Sequence, residues 1–107
     1  MKPHKNNNEA NGNFAVYEIV VNGKTYKIGK ADLDRITLSS GNPTRIHQQI
    51  RKLRQKYGRQ NVYHTVLETL LGVTTQQAKD VEKAILQLIY EREGYIPEGN
   101  QNSFKPL

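Results

Sequence analysis

The chain has no cysteine. Disulfides and thiolate metal sites are therefore excluded, and the composition fits a reducing compartment. No apolar run approaches the length of a membrane span, and no apolar segment of the kind seen in a secretory leader follows Met1. There are no internal repeats, which removes solenoids and propellers. Acids are missing from one stretch in particular. From Arg45 to Arg59 the chain carries Arg45, Arg51, Lys52, Arg54, Lys56 and Arg59 with no Asp or Glu among them.

What remains is 107 residues with a net charge of +6, enough for one domain with one modest core. Residues 1–13 are polar, rich in asparagine, and read as a flexible leader. The domain is expected to span 14–107.

Val16 to Gly29 reads as a β-hairpin. Val16-Tyr17-Glu18-Ile19-Val20-Val21 is β-branched and aliphatic, as a half-buried strand requires. Asn22-Gly23 tolerates the positive φ of a tight type I′ turn. A plain two-residue loop sets Val21 against Lys24, Ile19 against Tyr26 and Tyr17 against Ile28. Tyr17, Ile19, Tyr26 and Ile28 then share one face, and Glu18 pairs with Lys27 on the other. Asp32 and Asp34 follow in a loop. They lack the further oxygen ligands of a calcium site and read as turn residues.

Asn42-Pro43 starts a helix, with Asn as the cap and Pro in the first turn. Ile46, Ile50, Leu53 and Tyr57 form its apolar stripe, and Gly58 ends it. The basic residues fall on both sides of that stripe. Arg45, Lys52 and Lys56 lie along one edge, and His47, Arg51 and Arg54 along the other. A surface helix ordinarily mixes signs to gain i,i+4 pairs. One that repels itself points to a polyanionic ligand, with Arg51, Lys52, Arg54, Lys56 and Arg59 as nucleic-acid contacts.

Val62 to Leu71 reads as a strand covered on both faces, a central position. His64 lies on it, expected at a rim. Thr74 and Gln77 make a capping box for a second helix that ends at Gly94. Ala78, Val81, Ala84, Ile85, Leu88 and Ile89 are its expected buried face. Glu82 falls beside Ile85 and Ile89, where a carboxylate needs a cation, a metal or hydrogen bonds. The Tyr95 to Leu107 tail, with Phe104, is expected to pack back on the domain. The element order predicts an α+β domain, ββαβα, with a three-stranded, mostly antiparallel sheet flanked by helices.

These residues in this order resemble the GIY-YIG nuclease superfamily. Val16-Tyr17-Glu18-Ile19 is similar to its first signature element. Lys27-Ile28-Gly29 is similar to the second, with Lys in place of tyrosine. Arg45 and His47 resemble the arginine and histidine of the following helix, and Glu82 the metal-binding glutamate. Asn100 or Asn102 resembles the asparagine that often follows. The hairpin register puts Tyr26 on the face of Tyr17, whereas the motif asks for Lys27, so both are candidates. The resemblance implies an endonuclease in which Tyr17, helped by His47, deprotonates the nucleophile. Arg45 and Lys27 would neutralise the phosphate, and Glu82 would hold one Mg²⁺.

The polar leader and the Phe104-Lys105-Pro106-Leu107 end also resemble C-terminal toxin modules of bacterial contact-dependent and Rhs-type systems. That implies delivery within a larger protein to the target-cell cytoplasm, RNA (tRNA) ahead of DNA as substrate, and an acidic immunity protein as partner. A metal-independent ribonuclease using His47 and His64 is a variant of this reading. A non-catalytic nucleic-acid-binding module and a domain for an acidic protein are the alternatives.

Overall fold

The computed structural model describes residues 11–107. The chain runs β1 (Asn11–Val21), β2 (Lys24–Asp32), α1 (Thr44–Tyr57), β3 (Val62–Thr74) and α2 (Thr75–Glu93), with short 3-10 turns at Arg59–Asn61 and Glu98–Asn100. The three strands form one antiparallel sheet in the order β2-β1-β3. This is the small α+β domain expected from the element order.

β1 is the central strand, and β3 lies at an edge. The aliphatic run of β1 is therefore buried on both faces rather than half-buried. Phe14 to Tyr17 and Ile19 to Val21 are all buried. A strand covered on both sides has no reason to alternate. β3 lacks clean alternation for another reason. Its pairing with β1 slips twice, between Gly12 and Phe14 and between Val16 and Tyr17. Tyr63, Val66, Leu67 and Leu71 consequently lie exposed along it. β1 begins at Asn11, so three residues assigned to the leader belong to the strand. The rest of the expected leader, residues 1–10, lies outside the described residues.

A helix covers each face of the sheet. On one face Tyr17, Ile19, Val21 and Val62 pack with Ile46 and Ile50 of α1. On the other, Val16 and Ile28 pack with Leu86 and Ile89 of α2 and with Phe104, which brings the C-terminal segment back onto the domain. Leu86 occupies the core position that the helical spacing had given to Leu88, which is exposed. Ala84 is exposed as well.

The hairpin register carries the main correction. Asn22 and Gly23 both have positive φ, as the tight turn requires. Val21 pairs with Lys24 and Val20 with Thr25, but Ile19 then pairs with Lys27. Tyr26 is the extra residue of a β-bulge, which turns every later side chain of β2 to the opposite face. Lys27, Gly29 and Ala31 therefore stand on the face of Tyr17, and Ile28 and Lys30 on the other. Glu18 pairs with Ile28, not Lys27, and its carboxylate accepts from the Thr25 hydroxyl.

The helix ends hold as the sequence implies, with one change. Thr74 and Gln77 form a reciprocal capping box on α2, and Gly94 ends it in a left-handed conformation. α1 starts at Thr44, and Pro43 takes the cap position with no side-chain cap. The loop itself anchors the start. The Thr44 N–H donates to the Arg35 carbonyl at 2.7 Å, and the Thr37 N–H to the Asn42 carbonyl at 2.9 Å.

Candidate functional site

Tyr17 is the pivot of the site. It faces Gly29 across the β1–β2 ladder, and its ring lies over that glycine. A Cβ added at Gly29 would sit 2.5 Å from Tyr17 Cζ and 3.0 Å from Cε1. Only the absence of a side chain lets the phenol cross β2. Its hydroxyl donates to Gln49 Oε1 on α1 at 2.5 Å. Burial pushes the phenol pKa up to about 12. The Arg45 guanidinium beside the hydroxyl works against that rise, and the Glu82 carboxylate adds to it.

Cations gather around the same point. Lys27 stands two residues from Gly29 on the same face, and burial lowers its pKa with help from Arg45, while Glu82 opposes. Lys30 stands on the other face, its ammonium 5.4 Å from the centroid of the Phe14 ring. Burial again lowers its pKa, with Glu82 as the leading opposing influence. Glu82 reaches this cluster from α2. Burial raises its pKa, and Lys30, Lys27, Arg45 and Lys79 all counter the rise. The cluster thus closes around edge strand β2, with Tyr17, Lys27 and Arg45 on the α1 side and Lys30 and Glu82 on the α2 side.

A cleft of about 720 Å³ opens beside it, lined among others by Lys30, Arg45, Gln48, Thr75 and Lys79. The first residues of both helices, Thr44 and Thr75, are on its wall. Helix N-termini carry partial positive charge, which adds to that of the side chains. Asp32 and Asp34 line it too, and there the Asp34 N–H donates to Asp32 Oδ1 at 2.9 Å in an Asx turn.

Asn100 holds the edge strand in place. It is buried, accepts from the Ile28 N–H and donates to the Ile28 carbonyl, both at 2.9 Å. One side chain thus satisfies both backbone groups of an edge residue. Asn102 makes no such bond and is exposed.

Other expected site residues stand elsewhere. Tyr26 sits in the bulge against Tyr57, with ring centroids 6.4 Å apart, in a groove shared with Tyr95 and Glu98. The bulge settles the register in favour of Lys27. His47 lies across α1 from Arg45. Its Nδ1 is 2.9 Å from Ser40 Oγ, and it lines a separate groove with Arg51, Arg54 and Arg59. Two residues on a helix differ by about 200°, so Arg45 and His47 face opposite ways. His64 is half-buried on β3, and burial and then Arg54 lower its pKa. It does not line the cleft; nor do Tyr17, Lys27 and Glu82, which stand beside it, but His64, unlike them, shares no electrostatic influence with Lys27, Arg45 or Glu82. Arg54 is engaged structurally, with Nε and Nη2 both donating to the Val62 carbonyl at 3.2 Å. Lys52 and Lys56 are exposed, and the Lys56 ammonium lies over Tyr57.

Sequence reasoning missed Gln49, Lys30 and Lys79. The signals were present. Gln49 is one turn beyond Arg45, Lys79 is three residues before Glu82, and each therefore shares its partner's face.

The donor set for a metal is thin. Among the described residues no group of three or more His, Asp or Glu gathers. Two half-buried carboxylates lie within the field of the site's cations, Glu82 and, acting on Lys30, Asp32. One such carboxylate fits a hydrated Mg²⁺ that shares its coordination with a substrate phosphate. The four surrounding cations oppose a divalent ion bound without that phosphate.

No family model matches this chain, and no curated protein and no solved structure does either.

Proposed function

We propose that this domain is an endonuclease of the GIY-YIG type that cleaves a phosphodiester of nucleic acid. The observation that carries the reading is the convergence of the Tyr17 hydroxyl, Arg45, Lys27, Lys30, Lys79 and the Glu82 carboxylate around one stretch of β2. Cations and helix N-termini together suit a phosphate, whose charge grows as the transition state forms. A simple binding module has no use for a half-buried carboxylate among its cations.

In this reading Arg45, Lys27, Lys30 and Lys79 orient the phosphate and neutralise its charge. Tyr17 acts as a proton donor. With a pKa of about 12 only about one phenol in 10⁵ is ionised at pH 7. The family resemblance implies the opposite, proton-abstracting role for the same hydroxyl. As water, or the 2′-OH of RNA, bonds to phosphorus and gives up its proton to solvent, the bond from phosphorus to the leaving oxygen breaks; the phenol gives that oxygen its proton and regains one from solvent. His47 takes no part, because it faces away. Mg²⁺ held by Glu82 and the phosphate would add charge stabilisation at the leaving oxygen.

RNA, above all tRNA, is the favoured substrate and DNA the alternative. That order, like delivery as the toxic end of a larger protein into a target-cell cytoplasm, rests on the toxin-module resemblance. A neutralising immunity protein would meet the cationic cleft with an acidic surface.

Incubation with labelled tRNA and with plasmid, each with and without Mg²⁺, tests the reading. Cleavage of either supports it. Salt-sensitive binding without cleavage would make the domain a binding module, and binding of neither would favour the acidic-protein alternative.

A further inference from the structure

The groove on the far side of α1 has a use of its own. It holds about 390 Å³ and is lined by Ser40, His47, Arg51, Arg54 and Arg59, with Ile50 and the remaining residues between them. No carboxylate lines it. Among the described residues, neither Arg51 nor Arg59 forms an ion pair, and both are exposed. Three guanidinium groups therefore share one concavity with no carboxylate among its lining residues.

Two of its groups are held in place. Arg54 spends Nε and Nη2 on the Val62 carbonyl, which fixes the plane of its guanidinium and leaves Nη1 for something else. His47 directs Nδ1 to Ser40 Oγ, which leaves Nε2 for another contact. The groove wall is largely apolar, made by Ile50 and by the stems of the arginines, and guanidinium planes stack on bases as well as bind phosphate.

We propose that this groove is a second phosphate site, which grips the backbone of the same nucleic-acid strand whose reacting phosphate lies in the cleft across α1. The inference rests on the nucleic-acid reading above. It adds a minimum substrate length. A helix with its side chains is about 10 Å across, so the second phosphate cannot be the immediate neighbour of the reacting one. It also gives His47 and the far basic edge of α1 a role that the cleft chemistry does not use.

The test is a binding measurement with single-stranded RNA of about ten nucleotides, a length typical of such sites. Arg51→Gln/Arg59→Gln is compared with wild type by fluorescence anisotropy over a range of salt. Both positions are exposed, so the fold is left intact, and circular dichroism checks this. The double variant is expected to bind at least about tenfold more weakly at low salt, and its slope of log affinity on log salt to fall by about 0.7 for each phosphate that is no longer neutralised. A dinucleotide, too short to cross α1, should bind wild type and variant alike in an NMR titration. Lys83→Gln/Arg92→Gln removes the same charge from exposed positions on α2 and should leave the slope unchanged.

An unchanged slope in Arg51→Gln/Arg59→Gln, an equal fall in the α2 control, or an equal loss with the dinucleotide overturns the second site. If wild type binds no RNA or DNA at all, it is the nucleic-acid reading itself that fails. Because binding is measured, the outcome does not depend on whether the cleft cleaves.

Discussion

The ring of Tyr17 lies over Gly29, its direct partner on the neighbouring strand, and a single methyl group at Gly29 would occupy the space of the phenol. The pairing depends on the bulge at Tyr26. Without it Tyr17 would face Ile28, as the simple hairpin register predicts. The bulge is thus what turns a structural hairpin into one that can present a phenol at an edge.

Gly29→Ala follows from this packing. The methyl must displace the Tyr17 ring, an overpacking cost of about 1–3 kcal/mol. The expected outcome is a lower midpoint in urea unfolding together with a large loss of cleavage. Tyr17→Phe gives no relief, because Cζ stays where it is. A variant that folds and cleaves normally would mean that the ring can move freely.

The phenol of Tyr17 also makes a prediction in alkali. Its pKa is higher in the folded chain, about 12, than the ordinary value of about 10. Between those two values the unfolded chain has lost a proton that the folded chain keeps. Stability from this group is therefore full below pH 10 and is lost as pH rises through 12, by about 2–3 kcal/mol in all. Burial also raises the Tyr26 pKa, so absorbance titration of tyrosinate should show more than one late-ionising tyrosine, the one near pH 12 absent in Tyr17→Phe. The same variant should also fall off less steeply in stability above pH 10.

Glu82 is expected to cost stability. Burial outweighs the surrounding cations and raises its pKa, so the fold favours the protonated form. The stability it lends is present below its unfolded pKa and lost as pH rises through the folded one. At pH 7 Glu82→Gln should therefore unfold at a higher temperature than wild type while losing about 10²-fold or more in cleavage rate. A lower unfolding temperature would show that the lysines hold the carboxylate rather than tolerate it.

Asn100 is expected to matter for the fold rather than for the chemistry. Asn100→Ala removes two hydrogen bonds and leaves the Ile28 N–H and carbonyl without partners, at a cost of about 2–4 kcal/mol. Urea unfolding measures that cost. Cleavage at low temperature, where the variant is still folded, should persist. Loss of cleavage with stability unchanged would reverse the assignment.

The sequence carried the element order, the capping box, the glycine that ends each helix, and the split of the basic residues between two edges of α1. Those depend on local spacing, which a sequence displays directly. The wheel also placed Glu82 next to the buried face of α2. The strand order was hidden, because an aliphatic run such as Phe14 to Val21 reads alike whether one or both faces are covered. The bulge was hidden too. No residue type marks Tyr26 as the extra one, and its position is set by packing against Tyr57 and by Gly99, where a Cβ would come within 2.9 Å of Lys27 Cβ. Lys30 entered the site by that same shift of face.

The most direct test of the central claim is cleavage of labelled tRNA and plasmid by wild type, Tyr17→Phe and Glu82→Gln at equal concentration in Mg²⁺. The account predicts that wild type cuts at least one substrate and that each single substitution slows it by about 10² or more. Equal cleavage by all three proteins would contradict it, because the phenol and the carboxylate would then have no part in the reaction.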